Sequence, residues 1–115
     1  FPTLMELCHM TPPAQLQGKS IVPNLKDPKA PGKEVVYTVV SRSKDPIILG
    51  TAIRFENWRY TEWGSQTECE LYDLNTDHAE LNNLAPNTEY AAIRAKAHAL
   101  LAAKQTEAMS RRVNK

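Results

Sequence analysis

With 115 residues and a net charge of +1, the chain is long enough for one domain and lacks the basic excess of an electrostatic nucleic-acid binder. Hydrophobic residues make up 42% and charged residues 23%, ordinary values for a globular chain. No apolar run reaches the roughly 20 residues that cross a bilayer, and Phe1-Pro2-Thr3 has neither the basic start nor the long apolar stretch of a signal peptide.

Phe1, Leu4, Met5, Leu7 and Cys8 recur at helical spacing, with Pro2 in the first turn, where its missing N–H costs nothing. The spacing predicts a short helix stopped by Thr11-Pro12-Pro13, and so short a helix needs something to pack against. Residues 14–33 read as irregular. Gln17-Gly18-Lys19-Ser20 is expected to turn, Ile21 to Leu25 to make one helical turn, and Pro28, Pro31 and Gly32 to form a stiff connector.

Glu34 to Arg42 predicts the first strand, apolar or β-branched on both faces and therefore suited to cover on both. Lys44-Asp45-Pro46 turns the chain into a second strand, Ile47 to Phe55. Glu56-Asn57 reads as a tight hairpin, with Asn57 supplying the positive φ such turns need. Trp58 to Trp63 is the third strand, with Trp58, Tyr60 and Glu62 on one face and Arg59, Thr61 and Trp63 on the other. A turn at 64–67 leads to a fourth strand, Glu68 to Leu74. Asp77 or Thr76 is expected to cap the turn through His78-Ala79-Glu80, and Asn87 to cap the last helix. That helix carries Tyr90, Ile93, Ala97, Leu100 and Leu101 as one apolar stripe, with Arg94, Lys96, Lys104 and Gln105 largely outside it. Arg111, Arg112 and Lys115 complement its C-terminal dipole. The expected fold is α+β: a four-stranded antiparallel sheet with the C-terminal helix on one face, preceded by a short helix.

Chemistry is hard to find. Gly18-Lys19-Ser20 matches only the end of a phosphate-binding loop, and no strand precedes it. Asp73, Asp77, His78 and Glu80 read as a capped, solvated turn rather than metal ligands, and paired Cys/His spacings for zinc are missing. No serine sits in a Gly-x-Ser-x-Gly elbow, and Cys8 and His9 point apart on a helix. Cys8 and Cys69 are each expected to be small buried apolar residues rather than bridge partners. Arg54, Arg59 and Trp63, with Phe55, Trp58, Tyr60 and Tyr72 nearby, offer an anion or sugar platform. The plainer reading puts Trp58, Tyr60 and Tyr72 in the core beneath the last helix and pairs Arg54 with Glu56 or Asp73, because an unpaired strand arginine among apolar neighbours is costly.

Four pieces of sequence, in order, resemble the C-terminal region of the sulfatases, most closely the iduronate-2-sulfatase branch. Phe1 to Cys8 is similar to the family's FPTLLELAG helix, and Leu16 to Pro23 to its LQGRSLVP connector. Ile53-Arg54 with Tyr60-Thr61-Glu62-Trp63 is similar to its IRT…YRYTEW hairpin. Glu70 to Leu74 with Asp77, Glu80 and Asn83-Leu84-Ala85 is similar to its ELYDLxxDPxExxNLA ending, with His78 in place of the common proline. The resemblance implies that 1–33 is the last helix and connector of a catalytic N-terminal domain, that 34–115 is the C-terminal subdomain, and that Phe1 is an internal residue of a longer protein. It implies a sulfate-ester hydrolase acting on a sulfated carbohydrate, with calcium and a formylglycine in the full enzyme. Formylglycine arises in a Cys/Ser-x-Pro/Ala-x-Arg motif. Neither Cys8 nor Cys69 stands in one, so no catalytic or metal residue is assigned here and the chain alone is expected to be inactive. The implied partner is the N-terminal catalytic domain, with no nucleic acid or membrane, and the implied location is periplasmic or secreted. A rival reading is a self-sufficient carbohydrate- or protein-binding module that uses the Arg54, Arg59 and Trp63 face.

Overall fold

The computed structural model describes residues 1–16, 18–42 and 46–113, with side chains through Ser110. The expected turns through Gln17 and Lys44-Asp45, and the basic tail at Arg111, Arg112 and Lys115, lie outside the described residues or side chains. The chain divides into two compact units, Phe1–Lys33 and Glu34–Lys115.

In the first unit, α1 spans Pro2–Leu7 and α2 spans Val22–Lys26. α1 ends before the Thr11-Pro12-Pro13 stop read from the sequence. His9 adopts a positive φ of 57°, its N–H donates to the Glu6 carbonyl, and the Met10 N–H reaches back to the Met5 carbonyl. This paired closure is a Schellman motif, and the left-handed residue within it ends the helix without help from proline. The Thr3 hydroxyl accepts the Ile21 N–H at 3.1 Å, which ties the two helices together over buried Val22. Phe1, Leu4 and Leu7 remain exposed, at 72%, 62% and 53%. Cys8 is also exposed, not buried as expected, because it shares the uncovered side of a six-residue helix.

The second unit is an antiparallel meander, β1 (Val35–Ser41), β2 (Leu49–Phe55), β3 (Trp58–Trp63) and β4 (Ser65–Asp73), in sheet order β1-β2-β3-β4. A 3-10 turn, Thr88–Tyr90, then leads into α2's long successor α3 (Ala91–Val113). Asn87 caps as expected, its side chain accepting the Glu89 N–H at 3.0 Å, but the element it starts is that 3-10 turn. β4 begins earlier than the sequence suggests. Gly64 takes a φ of 73°, and a register shift at Glu62/Trp63 lets Ser65 pair directly with Trp63. The glycine supplies a conformation that side chains resist. At the β2–β3 turn the positive φ falls on Glu56 (49°), not on Asn57.

α3 packs on the face of the sheet that carries Ile53, Phe55, Tyr60 and Leu71, and meets it with Ala97 and Leu101. Tyr90, Ile93 and Leu100 join at the rim, so the predicted stripe is the one buried. Several residues placed outside the stripe still hold the helix to the sheet layer. Lys96 reaches Glu56 at 2.6 Å and lies over the Phe55 ring, Gln105 donates to the Thr51 hydroxyl at 3.2 Å, and Arg94 donates to the Ala85 carbonyl at 2.5 Å. Among the described residues, no helix is long and apolar enough to cross a membrane.

Candidate functional site

The two-residue turn at Glu56-Asn57 fixes the β2–β3 register and therefore the rows of the sheet face turned away from α3. One row reads Val36, Arg54, Arg59, Tyr72. The next reads Thr38, Ala52, Thr61, Glu70. The third reads Val40, Gly50, Trp63. The candidate residues Arg54, Arg59 and Trp63 thus share one face.

Trp63 is half-buried and has three well-defined neighbours. Its six-membered ring lies against Gly50, its Nε1–H donates to Glu70 at 3.0 Å, and the Arg42 guanidinium stacks 3.9 Å above the ring centroid. Tryptophan is the best side-chain partner for a cation in this position. The indole is therefore tied to β2, β4 and Arg42 through these neighbours. Arg59 forms an ion pair with Glu80, itself held at a positive φ of 55°. Arg54 is exposed, and the pairing with Glu56 or Asp73 does not form: Glu56 is taken by Lys96, and the Asp73 carboxylate accepts the Asn75 N–H. Thr61 is 2% exposed, and its Oγ1 has no hydrogen-bond partner among the described residues. Tyr72 stands on this outer face, not under α3, because its neighbour Leu71 takes the inward position. Burial, then the charge of Glu70, pushes the Tyr72 phenol up, so it stays a donor at neutral pH.

The opposite face holds a polar network that sequence reasoning did not single out. Glu62 accepts from the Tyr60 hydroxyl at 2.8 Å and meets His98 Nδ1 of α3 at 2.6 Å with the same oxygen. Tyr60 is fully buried, and burial followed by the Glu62 carboxylate pushes its phenol far up. The network anchors the helix and gives the Tyr60 hydroxyl a partner inside the core. Its signal in the sequence was Glu62 on the same strand face as Trp58 and Tyr60. Trp58 meets Tyr90 in a tilted ring contact, with centroids 5.9 Å apart. A recess of about 430 Å³ beside β4 is lined by Gln66, Thr67, Cys69, Ala85, Pro86 and Arg94.

The acidic turn is spent on structure. Asp77 accepts the Leu81 and Asn82 N–H groups at 3.1 and 2.8 Å, and these bonds, Asn82 first, hold its carboxyl below the usual carboxylate range. A lowered pKa contributes stability above the unfolded value that is lost as pH falls through the folded one. Asp77→Ala should therefore lower Tm at pH 7, and the gap from the parent chain should shrink in melts below the ordinary carboxylate range. An equal gap at both pH values would assign the effect to packing. Among the described residues no group of three or more His, Cys, Asp or Glu side chains gathers where a metal could sit. With Asp77 and Glu80 already committed, this turn does not fit a calcium site.

Residues 1–107 match the family described as N-sulphoglucosamine sulphohydrolase, C-terminal. The chain belongs to this sulfatase C-terminal family. A Delta 4,5-hexuronate-2-O-sulfatase of Bacteroides thetaiotaomicron is 32% identical over 103 residues, covering 88% of this chain and 21% of that protein. A solved structure of a 2-O GAG sulfatase superposes with a TM-score of 0.81 at 27% identity, covering 99% of this chain and 25% of that one. A second, solved in complex with D-glucosamine-2-N,6-O-disulfate, shares the fold at 22% identity, with a TM-score of 0.73 over 91% of this chain and 22% of its own. This sulfatase C-terminal chain thus spans about a fifth to a quarter of the length of these relatives. The α+β sheet-and-helix architecture read from the sequence is the architecture they share.

Proposed function

We propose that this chain is the non-catalytic C-terminal part of an enzyme that hydrolyses sulfate esters of sugars, and that it is inactive alone. The observation that carries the reading is the family match over residues 1–107 in a chain that spans only 21% of its hexuronate-2-O-sulfatase relative. In this reading 1–33 closes the catalytic domain and 34–115 is the appended subdomain. The contact division after Lys33 and the uncovered apolar side of α1 support it. Calcium and formylglycine belong to the catalytic part, where they would bind the sulfate and supply the nucleophile. This chain's own role is structural, and Arg54, Arg59 and Trp63 are the residues through which it would meet substrate or the larger domain. A periplasmic or secreted location follows from the same reading.

The coding sequence upstream of Phe1 is the first test. An in-frame extension with Cys/Ser-x-Pro/Ala-x-Arg and an Asp-Asp pair is expected, and a start codon directly before Phe1 would overturn the reading. In an assay on a 2-O-sulfated unsaturated hexuronate disaccharide, the longer polypeptide should release sulfate and residues 1–115 alone should release none.

A further inference from the structure

The two edges of the sheet differ. On β4 the Leu84 N–H bonds to the Leu71 carbonyl, and the Asn83 side chain takes the Leu71 N–H and the Cys69 carbonyl, so a loop covers part of that edge. β1 stands at the other end of the sheet order and pairs with β2 alone among the described strands. Proline, charge and bulges are what keep an edge from pairing. Val35–Ser41 contains no proline and no charged residue, and its register with β2 runs without a bulge. The Arg42 N–H bonds to the Ile48 carbonyl, which sets the phase of the ladder: Val36, Thr38 and Val40 turn their backbone groups to β2, and Val35 and Val39 turn theirs outward. Val36, Val39 and Val40 are 43%, 48% and 47% exposed.

We propose that β1 pairs antiparallel with β1 of a second copy, about a two-fold axis at Thr38, and so extends one sheet across both chains. The strand is complementary to itself in that register. Val36 of each copy lies beside Val40 of the other, Thr38 meets Thr38, and at both ends Glu34 faces Arg42. A two-fold contact makes each unlike pair twice, and opposite charges across a ladder attract. One step of slip sets Glu34 against Val40 or Arg42 against Val36, so charge selects the register. Glu34 is exposed and enters none of the ion pairs among the described residues. Arg42, over the Trp63 ring, keeps N–H donors for a carboxylate. An unrelated strand would have to carry both charges at the same spacing. The inference does not depend on the sulfatase reading: whichever polypeptide the upstream coding sequence defines is the one that pairs.

Sedimentation equilibrium of that polypeptide should show a dimer at about 0.1 mM. Glu34→Arg should weaken it at least about tenfold, and adding Arg42→Glu should restore most of the loss, because the exchanged charges face each other again. Val39→Pro removes an outward N–H and no bond to β2, so it should give a monomer that keeps the parent far-UV circular dichroism. Under mild oxidant Thr38→Cys should bridge to its own copy, read as a homodimeric peptide by mass spectrometry. Val36→Cys should not, because in this register it lies too far from its counterpart for a disulfide. A monomer at that concentration would overturn the pairing and leave the sulfatase reading untouched. A dimer indifferent to Glu34→Arg, or one that bridges equally well at both cysteines, would overturn it in favour of another surface.

Discussion

Gly50→Ala will destabilise the sheet by about 1–3 kcal/mol or more, a large effect for a single added methyl group. A Cβ at Gly50 would meet the Trp63 ring at Cζ3, and would lie 2.6 Å from Cε3 and 2.8 Å from Cη2. The ring cannot retreat easily, because Glu70 holds its Nε1 and the Arg42 guanidinium stacks on it. Urea melts followed by fluorescence measure the loss. Trp63→Val removes the obstacle, so Gly50→Ala should cost much less in that background, and a double-mutant cycle isolates the clash. The same loss in both backgrounds would place the damage in the backbone instead.

Leu101→Ala should cost about 2–5 kcal/mol, the usual range for emptying a well-packed site. Leu101 is 1% exposed and lies in the one cluster that joins α3 to Ile53, Tyr60 and Leu71. Leu81→Ala is the control. Leu81 is 86% exposed, and only its backbone N–H bonds to Asp77, so its truncation should stay within about 0.5 kcal/mol. Comparable losses from the two would mean that α3 is not held by its stripe.

Much of the fold was legible because alternation survives at the positions that matter. The third strand, Trp58 to Trp63, and the α3 stripe appear as read. Tyr72 was legible too: its parity with Glu70 puts it opposite Leu71, and its aromatic character alone suggested the core. The partners of Trp63 and Arg54 follow from the two-residue turn, since pairing Phe55 with Trp58 also sets Gly50 against Trp63 and Arg54 against Arg59. What no pattern carried was the third dimension of that face. Arg42, beyond the end of β1, folds over Trp63, and Glu80 reaches Arg59 from 21 residues away. The start of β4 was missed for a local reason: Ser65, Gln66 and Thr67 look like turn residues, yet on an exposed sheet edge polar side chains cost nothing.

The meander has a consequence for biosynthesis. Every strand pairs with its neighbour in sequence, so the ladder can zip as the chain leaves the ribosome, without waiting for distant partners. The helix that covers Ile53, Phe55, Tyr60 and Leu71, α3, is translated after all four strands. Between those two moments the nascent sheet is fully paired but bare on its greasiest side, and it is then that a holdase chaperone has something to grip.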